Sequence, residues 1–323
     1  MKQYNVLELS GFQEAHKQRL PEGVQVIYSD AKSISRKQIT EADIIIGRPP
    51  IELLPYAENL KWLQLDSAGS EQYASEGVLR KDVLLSNATG CFGGVIAEYL
   101  LCTILMLMRN MNKYIRNQEA GRWQVEGPIS SIAGATFLVV GMGNLGSEFA
   151  RRIHALGGKV LGIRKHPEAA VEGVSAMYSM DHLEELLPKA DVVVLTLPST
   201  LETRRMFRRE YFTLMKKTAI VANVGRGDVL YTDDLLEAIQ NKELAGAILD
   251  VCDQEPLPYN HPLWKEENVI ITPHISGTFQ LPATYELFVD LAIENLHAYL
   301  EGKSIRNIVD RKSGYRSFED ADR

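Results

Sequence analysis

The chain has 323 residues, three cysteines, 35 Lys plus Arg against 42 Asp plus Glu, and a formal net charge of −7. This length favours two domains, and the acidic balance argues against a nucleic-acid partner while leaving room for a local basic pocket. The opening Met1–Leu9 run is too polar for a secretory leader, and no apolar run reaches the ~20 residues of a membrane span.

Strand-like and helix-like runs alternate along the chain, the pattern of an α/β protein with parallel sheets. In the first hundred residues the predicted strands are Tyr4–Leu9, Val24–Tyr28, Asp43–Gly47, Trp62–Leu65 and Val83–Ser86, enough for one small open sheet. A long helix is predicted from Gly94 to Glu119, with the apolar stretch Tyr99–Met108 buried. Further strands follow at Thr136–Val140, Lys159–Ile163, Ala176–Tyr178, Val192–Leu197, Ala219–Asn223, Gly246–Val251 and Val269–Ile271. A last amphipathic helix, Ala283–Leu300, is expected to return to the first domain, and the charged tail after Asp310 to fray. Cys91, Cys102 and Cys252 form no metal-type or redox motif. No metal site is therefore expected, and free thiols suit a reducing, cytoplasmic compartment.

The most informative string is Gly141-Met142-Gly143-Asn144-Leu145-Gly146. It lies between the apolar run Thr136–Val140 and a helical stretch, Asn144–Leu156, that Gly157-Gly158 ends before the next strand. Strand, glycine turn, helix and strand form the unit that holds a pyrophosphate on a helix N-terminus. Gly141 permits the turn, Gly143 admits the phosphate to the backbone, and Gly146 lets helix and strand pack closely. About 20 residues on, an acid normally bonds the adenosine ribose. Here Arg164 stands there, followed by Lys165. A guanidinium pairs with a 2′-phosphate that an acid would repel, so NADP(H) is expected in preference to NAD(H), which remains possible.

The predicted fold is two doubly wound parallel-sheet domains. A Rossmann dinucleotide-binding domain spans residues 99–283, and a smaller, flavodoxin-like substrate domain is made discontinuously from 1–98 and 284–323. The carboxyl ends of both sheets are expected to face one cleft.

Three polar residues follow strands of the second set: Arg226 in Asn223-Val224-Gly225-Arg226-Gly227, Glu255 in Asp253-Gln254-Glu255-Pro256, and His274 in Thr272-Pro273-His274-Ile275. In a parallel sheet such ends share one edge. An arginine, an acid and a histidine suit the reduction of a 2-keto acid. The guanidinium grips the carboxylate, the imidazolium donates to the carbonyl oxygen, and the carboxylate favours the charged imidazole. Cys252 lies nearby, but nothing beside it marks it as a reactive thiol.

These motifs resemble the D-isomer-specific 2-hydroxyacid dehydrogenase family, from about Trp62 to Asn307 and most densely from Gly134 to Gly277. Leu197-Pro198-Ser199-Thr200-Leu201-Glu202-Thr203 is similar to the family's Pro-x-Thr-x-x-Thr loop, and the arginine, acid and histidine runs match its signatures. The resemblance implies that Arg226, Glu255 and His274 are catalytic, with His274 as proton donor. It implies cofactor contacts from Gly141, Gly143, Asn144, Leu145, Gly146, Arg164, Lys165, Leu197, Pro198, Thr203, Asn223, Val224, Asp250 and Gly277, with Asp250 at the nicotinamide end. Ser67, Ala68 and Gly69 resemble the loop whose amides hold the substrate carboxylate, and Arg48 sits where some relatives place a substrate-side residue.

The implied protein is an NADP(H)-preferring homodimer that reduces glyoxylate, hydroxypyruvate or a similar small 2-keto acid to the D-2-hydroxy acid. Neither nucleic acid nor membrane is an expected partner. One alternative is a 3-phosphoglycerate dehydrogenase, which needs more cations in the first domain than Arg48. The other is a non-enzymatic, dinucleotide-sensing protein of corepressor type, a class that carries longer disordered tails.

Overall fold

The structure, a computed structural model, describes residues 3–312 and 314–316. The chain divides into two compact units, one made of residues up to Phe92 and from Phe279 onward, the other of Gly93–Thr278. Both borders fall a few residues before the positions read from sequence, for packing reasons. Phe279 meets the rings of Phe92, Tyr285 and Phe288 at centroid distances of 5.3, 5.4 and 5.4 Å, which ties it to the first unit. Helix α1 (Gly93–Met108) buries Ala97, Leu100 and Ile104 in the same cluster as Phe149 and Ile153, which ties it whole to the second.

In the first unit, strands β1 (Tyr4–Glu8), β2 (Val24–Tyr28), β3 (Ile44–Ile46), β4 (Trp62–Gln64) and β5 (Leu84–Ser86) form a sheet of order β2-β1-β3-β4-β5. Every neighbour pair is parallel. A buried polar link joins its last helix to the sheet: Asn295 Nδ2 donates to Gln64 Oε1 at 2.8 Å, and Ser86 Oγ donates to the same oxygen at 2.7 Å.

The segment after Asp310 does not fray at once. Val309–Asp310 pairs antiparallel with Tyr315–Arg316. The Arg311 guanidinium holds it by donating to the carbonyls of Leu79, Arg80 and Val83. The rest of the predicted tail, 317–323, lies outside the described residues, as do 1–2.

The second unit is a seven-stranded sheet of β6 (Thr136–Val140), β7 (Lys159–Ile163), β8 (Ala176–Tyr178), β9 (Val192–Leu195), β10 (Ile220–Asn223), β11 (Gly246–Leu249) and β12 (Val269–Ile271). Its order is β12-β11-β10-β9-β6-β7-β8, parallel throughout. Side chains alternate between two cores. Phe137, Val139, Val160, Val192, Val194 and Ala222 enter one, and Leu138, Val140, Leu161, Ile163, Val193 and Leu195 the other. None of them is more than 5% exposed, which is why these strands read as unbroken apolar runs. Each large side chain so buried stabilises the sheet by about 1.5–3 kcal/mol.

The long helix predicted from Gly94 to Glu119 is two helices, α1 and α2 (Met111–Glu119), set at 69°. The break is at Asn110, which adopts φ +55° while its side-chain amide donates to the carbonyls of Glu126 and Pro128. Among the described residues no single helix is long and apolar enough to cross a membrane, and no cluster of His, Cys, Asp and Glu could hold a metal ion.

Candidate active site

All seven strands of the second unit run the same way, so the segments that leave their carboxyl ends gather on one edge. The strand order reverses between β6 and β9, and ligands bind in open α/β sheets at such a reversal.

At the end of β6, Gly141 turns the chain with φ +108°, and its N–H and that of Met142 donate to Ile163 O at 2.9 and 3.1 Å. Helix α3 (Asn144–Ala155) begins at once, without a side-chain cap or an acid in its first turn. A Cβ on Gly146 would lie 2.4 Å from Gly141 O, so only glycine lets the helix sit this close. Uncapped amides at the positive end of a helix dipole fit a pyrophosphate. Asn144 packs its side chain towards Gly93, and Leu145 packs on the core, so both offer the site backbone rather than side chain.

At the end of β7, Arg164 is half-buried. Its Nε donates to the carbonyl of His166 and its Nη2 to that of Ala169 at 3.4 Å. Lys165 Nζ lies 3.4 Å from Glu202 Oε2, both exposed. No acid stands at the strand end; the first acid after it is Glu168.

After β9, Leu197 is buried in the core, whereas the Thr203 hydroxyl knits its own loop, donating to Pro198 O at 2.5 Å and accepting from Thr200 N at 2.8 Å. After β10, Asn223 and Val224 are buried, at 0% and 5% exposure. Asn223 spends its amide on the loop, donating to Arg226 O at 3.0 Å and accepting from Gly225 N at 3.2 Å. This brace fixes the backbone of the half-buried Arg226, whose Nη1 donates to Gly225 O at 2.8 Å.

The neighbouring strand ends bring the acid and the histidine together. His274 Nδ1 lies 2.9 Å from Glu255 Oε2, and Glu255 Oε1 accepts from Cys252 N at 3.1 Å. A carboxylate only accepts, so the imidazole proton is on Nδ1 and Nε2 is left for chemistry. Their side chains are 54% and 40% exposed. Burial pushes the Cys252 thiol up to about 12, and Glu255 adds to it, so this cysteine stays a neutral packing residue.

Asp250 is 2% exposed and gives both carboxylate oxygens to its own chain. Oδ1 accepts from Thr272 Oγ1 at 2.7 Å and Ile275 N at 2.9 Å; Oδ2 accepts from Ser276 N at 3.0 Å and Ser276 Oγ at 2.5 Å. Tyr99 OH lies 2.6 Å from Thr272 Oγ1. Sequence reasoning missed Tyr99, Thr272 and Ser276. Their one signal is a hydroxyl in each, at places where an apolar helix and a short turn gave no reason to look. Gly277, next along, is half-buried.

In the first unit, taken by itself, Arg48 follows β3 and donates from Nε to Asp66 Oδ1 at 2.7 Å. Burial raises the Asp66 carboxyl above its ordinary value, with Arg48 acting against the rise. Ser67 Oγ donates to Gly69 O at 2.8 Å, Ala88 N donates to Ser67 O at 2.9 Å, and Asn87 Nδ2 donates to Ala68 O at 2.9 Å. These bonds tie down the carbonyls of the Ser67–Gly69 loop.

A doubly wound sheet, an uncapped glycine-turn helix and an imidazole–carboxylate pair on one edge define a dinucleotide-dependent oxidoreductase. Residues 101–276 match the NAD-binding domain of the D-isomer-specific 2-hydroxyacid dehydrogenases. The glyoxylate/hydroxypyruvate reductase B of Escherichia fergusonii is 34% identical over 80% of this chain and 80% of its own. A D-isomer-specific 2-hydroxyacid dehydrogenase family protein of known structure from Aeromonas salmonicida is 31% identical, with a TM-score of 0.86 over 96% of this chain and 100% of that one. A D-isomer-specific 2-hydroxyacid dehydrogenase from Xanthobacter autotrophicus, solved with NADPH and MES, is 27% identical, with a TM-score of 0.82 over 97% and 100%. The chain belongs to the D-isomer-specific 2-hydroxyacid dehydrogenase family, and is an NAD(P)-dependent oxidoreductase acting on a CH–OH group.

Proposed function

We propose that this enzyme reduces a small 2-keto acid, glyoxylate or hydroxypyruvate foremost, to the D-2-hydroxy acid, with NADPH as the preferred reductant. The observation that carries this reading is the 2.9 Å contact of His274 Nδ1 with Glu255 Oε2, on the sheet edge that also bears Arg226 and the glycine turn. The name of the Escherichia relative and the NADPH in the Xanthobacter structure support the substrate class and the cofactor.

In this scheme Arg226 binds the substrate carboxylate through its guanidinium. Hydride delivery to the carbonyl carbon is the chemistry that a bound NADPH would supply. Protonated His274 gives its Nε2 proton to the oxygen on which negative charge develops, and is left neutral with Nδ1–H still held by Glu255. Such proton donation contributes on the order of 10²–10⁴ in rate. The Cys252 N–H keeps Glu255 facing the imidazole. The uncapped first turn of α3 holds the pyrophosphate, the residues from Asn144 onward offering N–H groups. The basic pair Arg164 and Lys165 meets a 2′-phosphate. Pro198, Thr203, Asn223, Val224, Asp250 and Gly277 form the edge along which the nicotinamide half is held. In the first unit, taken by itself, the Ser67–Gly69 amides form a loop suited to an anion, and Arg48 is engaged by Asp66.

A second copy of the chain completes the enzyme. Leu105, Met106, Met111 and Ile129, with Cys102, Tyr114 and Arg109 among them, line one groove, and Leu105, Met111 and Ile129 are exposed at 37%, 46% and 54%. Grouped apolar side chains of this kind mark association surfaces.

Initial rates from NADPH or NADH absorbance, with glyoxylate, hydroxypyruvate and pyruvate, test the reading. Glyoxylate and hydroxypyruvate are expected to be reduced, with kcat/KM for NADPH about tenfold or more above that for NADH, which is ~1.4 kcal/mol of transition-state preference. No keto-acid-dependent oxidation of either cofactor would sink it.

A further inference from the structure

We infer that Tyr99 and Thr272 are positioning residues, a hydroxyl relay that fixes, through Asp250, the turn presenting His274. The inference rests on the reading of His274 as proton donor.

Within the turn, His274 N donates to Thr272 O at 3.0 Å, and the remaining bonds come from outside it. His274 has φ +53°, a left-handed conformation that side-chain-bearing residues rarely adopt. Three successive amides are anchored on one residue: His274 N on Asp250 O at 2.9 Å, Ile275 N on Oδ1 at 2.9 Å and Ser276 N on Oδ2 at 3.0 Å. Asp250 therefore sets where the imidazole stands. Asp250 must itself be kept from rotating about its terminal torsion, which is broad for a carboxylate.

Thr272 adds to the restraint given by Ile275 N, Ser276 N and Ser276 Oγ, and the donor count fixes its direction. The Asp250 carboxylate receives donors on both oxygens and acts only as acceptor. Thr272 Oγ1, 2.7 Å from Oδ1, thus commits its single proton there. Its oxygen is then free to accept, and Tyr99 OH at 2.6 Å is the donor. Burial pushes the Tyr99 phenol up to about 12, so it keeps the proton it donates. Donating into Thr272 polarises that hydroxyl and strengthens its bond to Asp250. Tyr99 is on α1, which packs its apolar side into the sheet core, so the relay ties the turn that presents His274 to a buried helix. Neither hydroxyl touches substrate in this account; both act through Asp250.

Three variants test the relay in the full-length enzyme. Thr272→Val keeps the shape of the side chain and removes both links. Tyr99→Phe removes only the outer one. Thr272→Ser restores the hydroxyl. Thr272→Val is expected to lower kcat about 10- to 100-fold and Tyr99→Phe about three- to tenfold, the scale of one or two buried hydrogen bonds. Thr272→Ser is expected to recover at least about half of the wild-type kcat, the hydroxyl being the group that counts. The keto-acid KM should stay within about twofold in all three, since Arg226 is untouched.

Wild-type kcat in Tyr99→Phe and Thr272→Val would overturn the inference. So would an equal loss in Thr272→Ser, which would point to packing instead of the hydroxyl. If Thr272→Val does not fold, Tyr99→Phe and Thr272→Ser decide between these outcomes. His274→Ala, assayed alongside, separates the two claims. Undiminished turnover there removes the proton-donor reading, whereas an inactive His274→Ala beside an unimpaired Tyr99→Phe and Thr272→Val removes the relay alone.

Discussion

In the proposed function, Arg164 is the side chain that sets cofactor choice. Its guanidinium is held by the His166 and Ala169 carbonyls, neutral groups that leave its charge uncancelled. A 2′-phosphate would meet that charge, and a carboxylate in its place would repel the phosphate. Arg164→Asp is therefore expected to move the ratio of kcat/KM for NADPH over NADH towards NADH by about tenfold or more, or ~1.4 kcal/mol. An unchanged ratio would locate the discrimination elsewhere. Asp66 allows a test of pH dependence. Its folded carboxyl stands above the ordinary value because burial outweighs Arg48, so the folded state prefers the protonated form. The associated stability is present below the unfolded value of ~3.9 and is lost as pH rises through the raised one. Asp66→Asn should thus raise the Tm at pH 7, by about 2–4 °C for each kcal/mol recovered, and the gain should shrink towards pH 3. Scanning calorimetry at both pH values would show a constant or absent gain if Arg48 dominated instead. At this scale the arginine, acid and histidine were legible because each follows a strand-like run within a recognisable string. Tyr99, Thr272 and Ser276 were not, since a lone hydroxyl has no spacing to betray it. Asn223 and Asp250 were noticed as cofactor residues; the Asn223 side chain braces its own loop and that of Asp250 the turn at Thr272–Ser276, bonds that no spacing in the sequence records.

The strands were legible because burial on both faces demands continuous Val, Ile and Leu, and Val192–Leu195 needs nothing but its neighbours to explain it. Their ends were read one or two residues long, as at Leu197 and Val251, because apolar side chains continue past the last ladder bond into the core. The bend between α1 and α2 was illegible. It depends on Asn110 reaching carbonyls 16 and 18 residues away, which no helical periodicity records. The glycine turn gives the element-level prediction. Alanine for glycine within a helix gains about 1 kcal/mol of propensity, but a Cβ at position 146 would lie 2.4 Å from Gly141 O, a backbone atom that cannot step aside. Overpacking of this kind costs about 1–3 kcal/mol, so the clash outweighs the propensity. Gly146→Ala should lower the Tm and weaken NADPH binding about tenfold or more by fluorescence titration, because the same turn forms the cradle. A stabilised variant with intact affinity would show that the helix can slide.

At the scale of the molecule, the alternation of strands and helices was enough to predict two sheets, while the borders at Phe92 and Thr278 depend on ring packing and helix burial that a sequence does not display. The apolar side chains around α2 give the remaining prediction. Sedimentation equilibrium should find twice the 36.2 kDa of the chain, and Met111→Glu with Ile115→Glu, at positions both 46% exposed, should return it to a single copy. A wild-type protein sedimenting as one chain would leave this face without its proposed partner. Asp250 carries a last consequence. Because three successive amides of the histidine's turn hang on this one buried residue, altering it would release them together, so the turn cannot be remade one contact at a time.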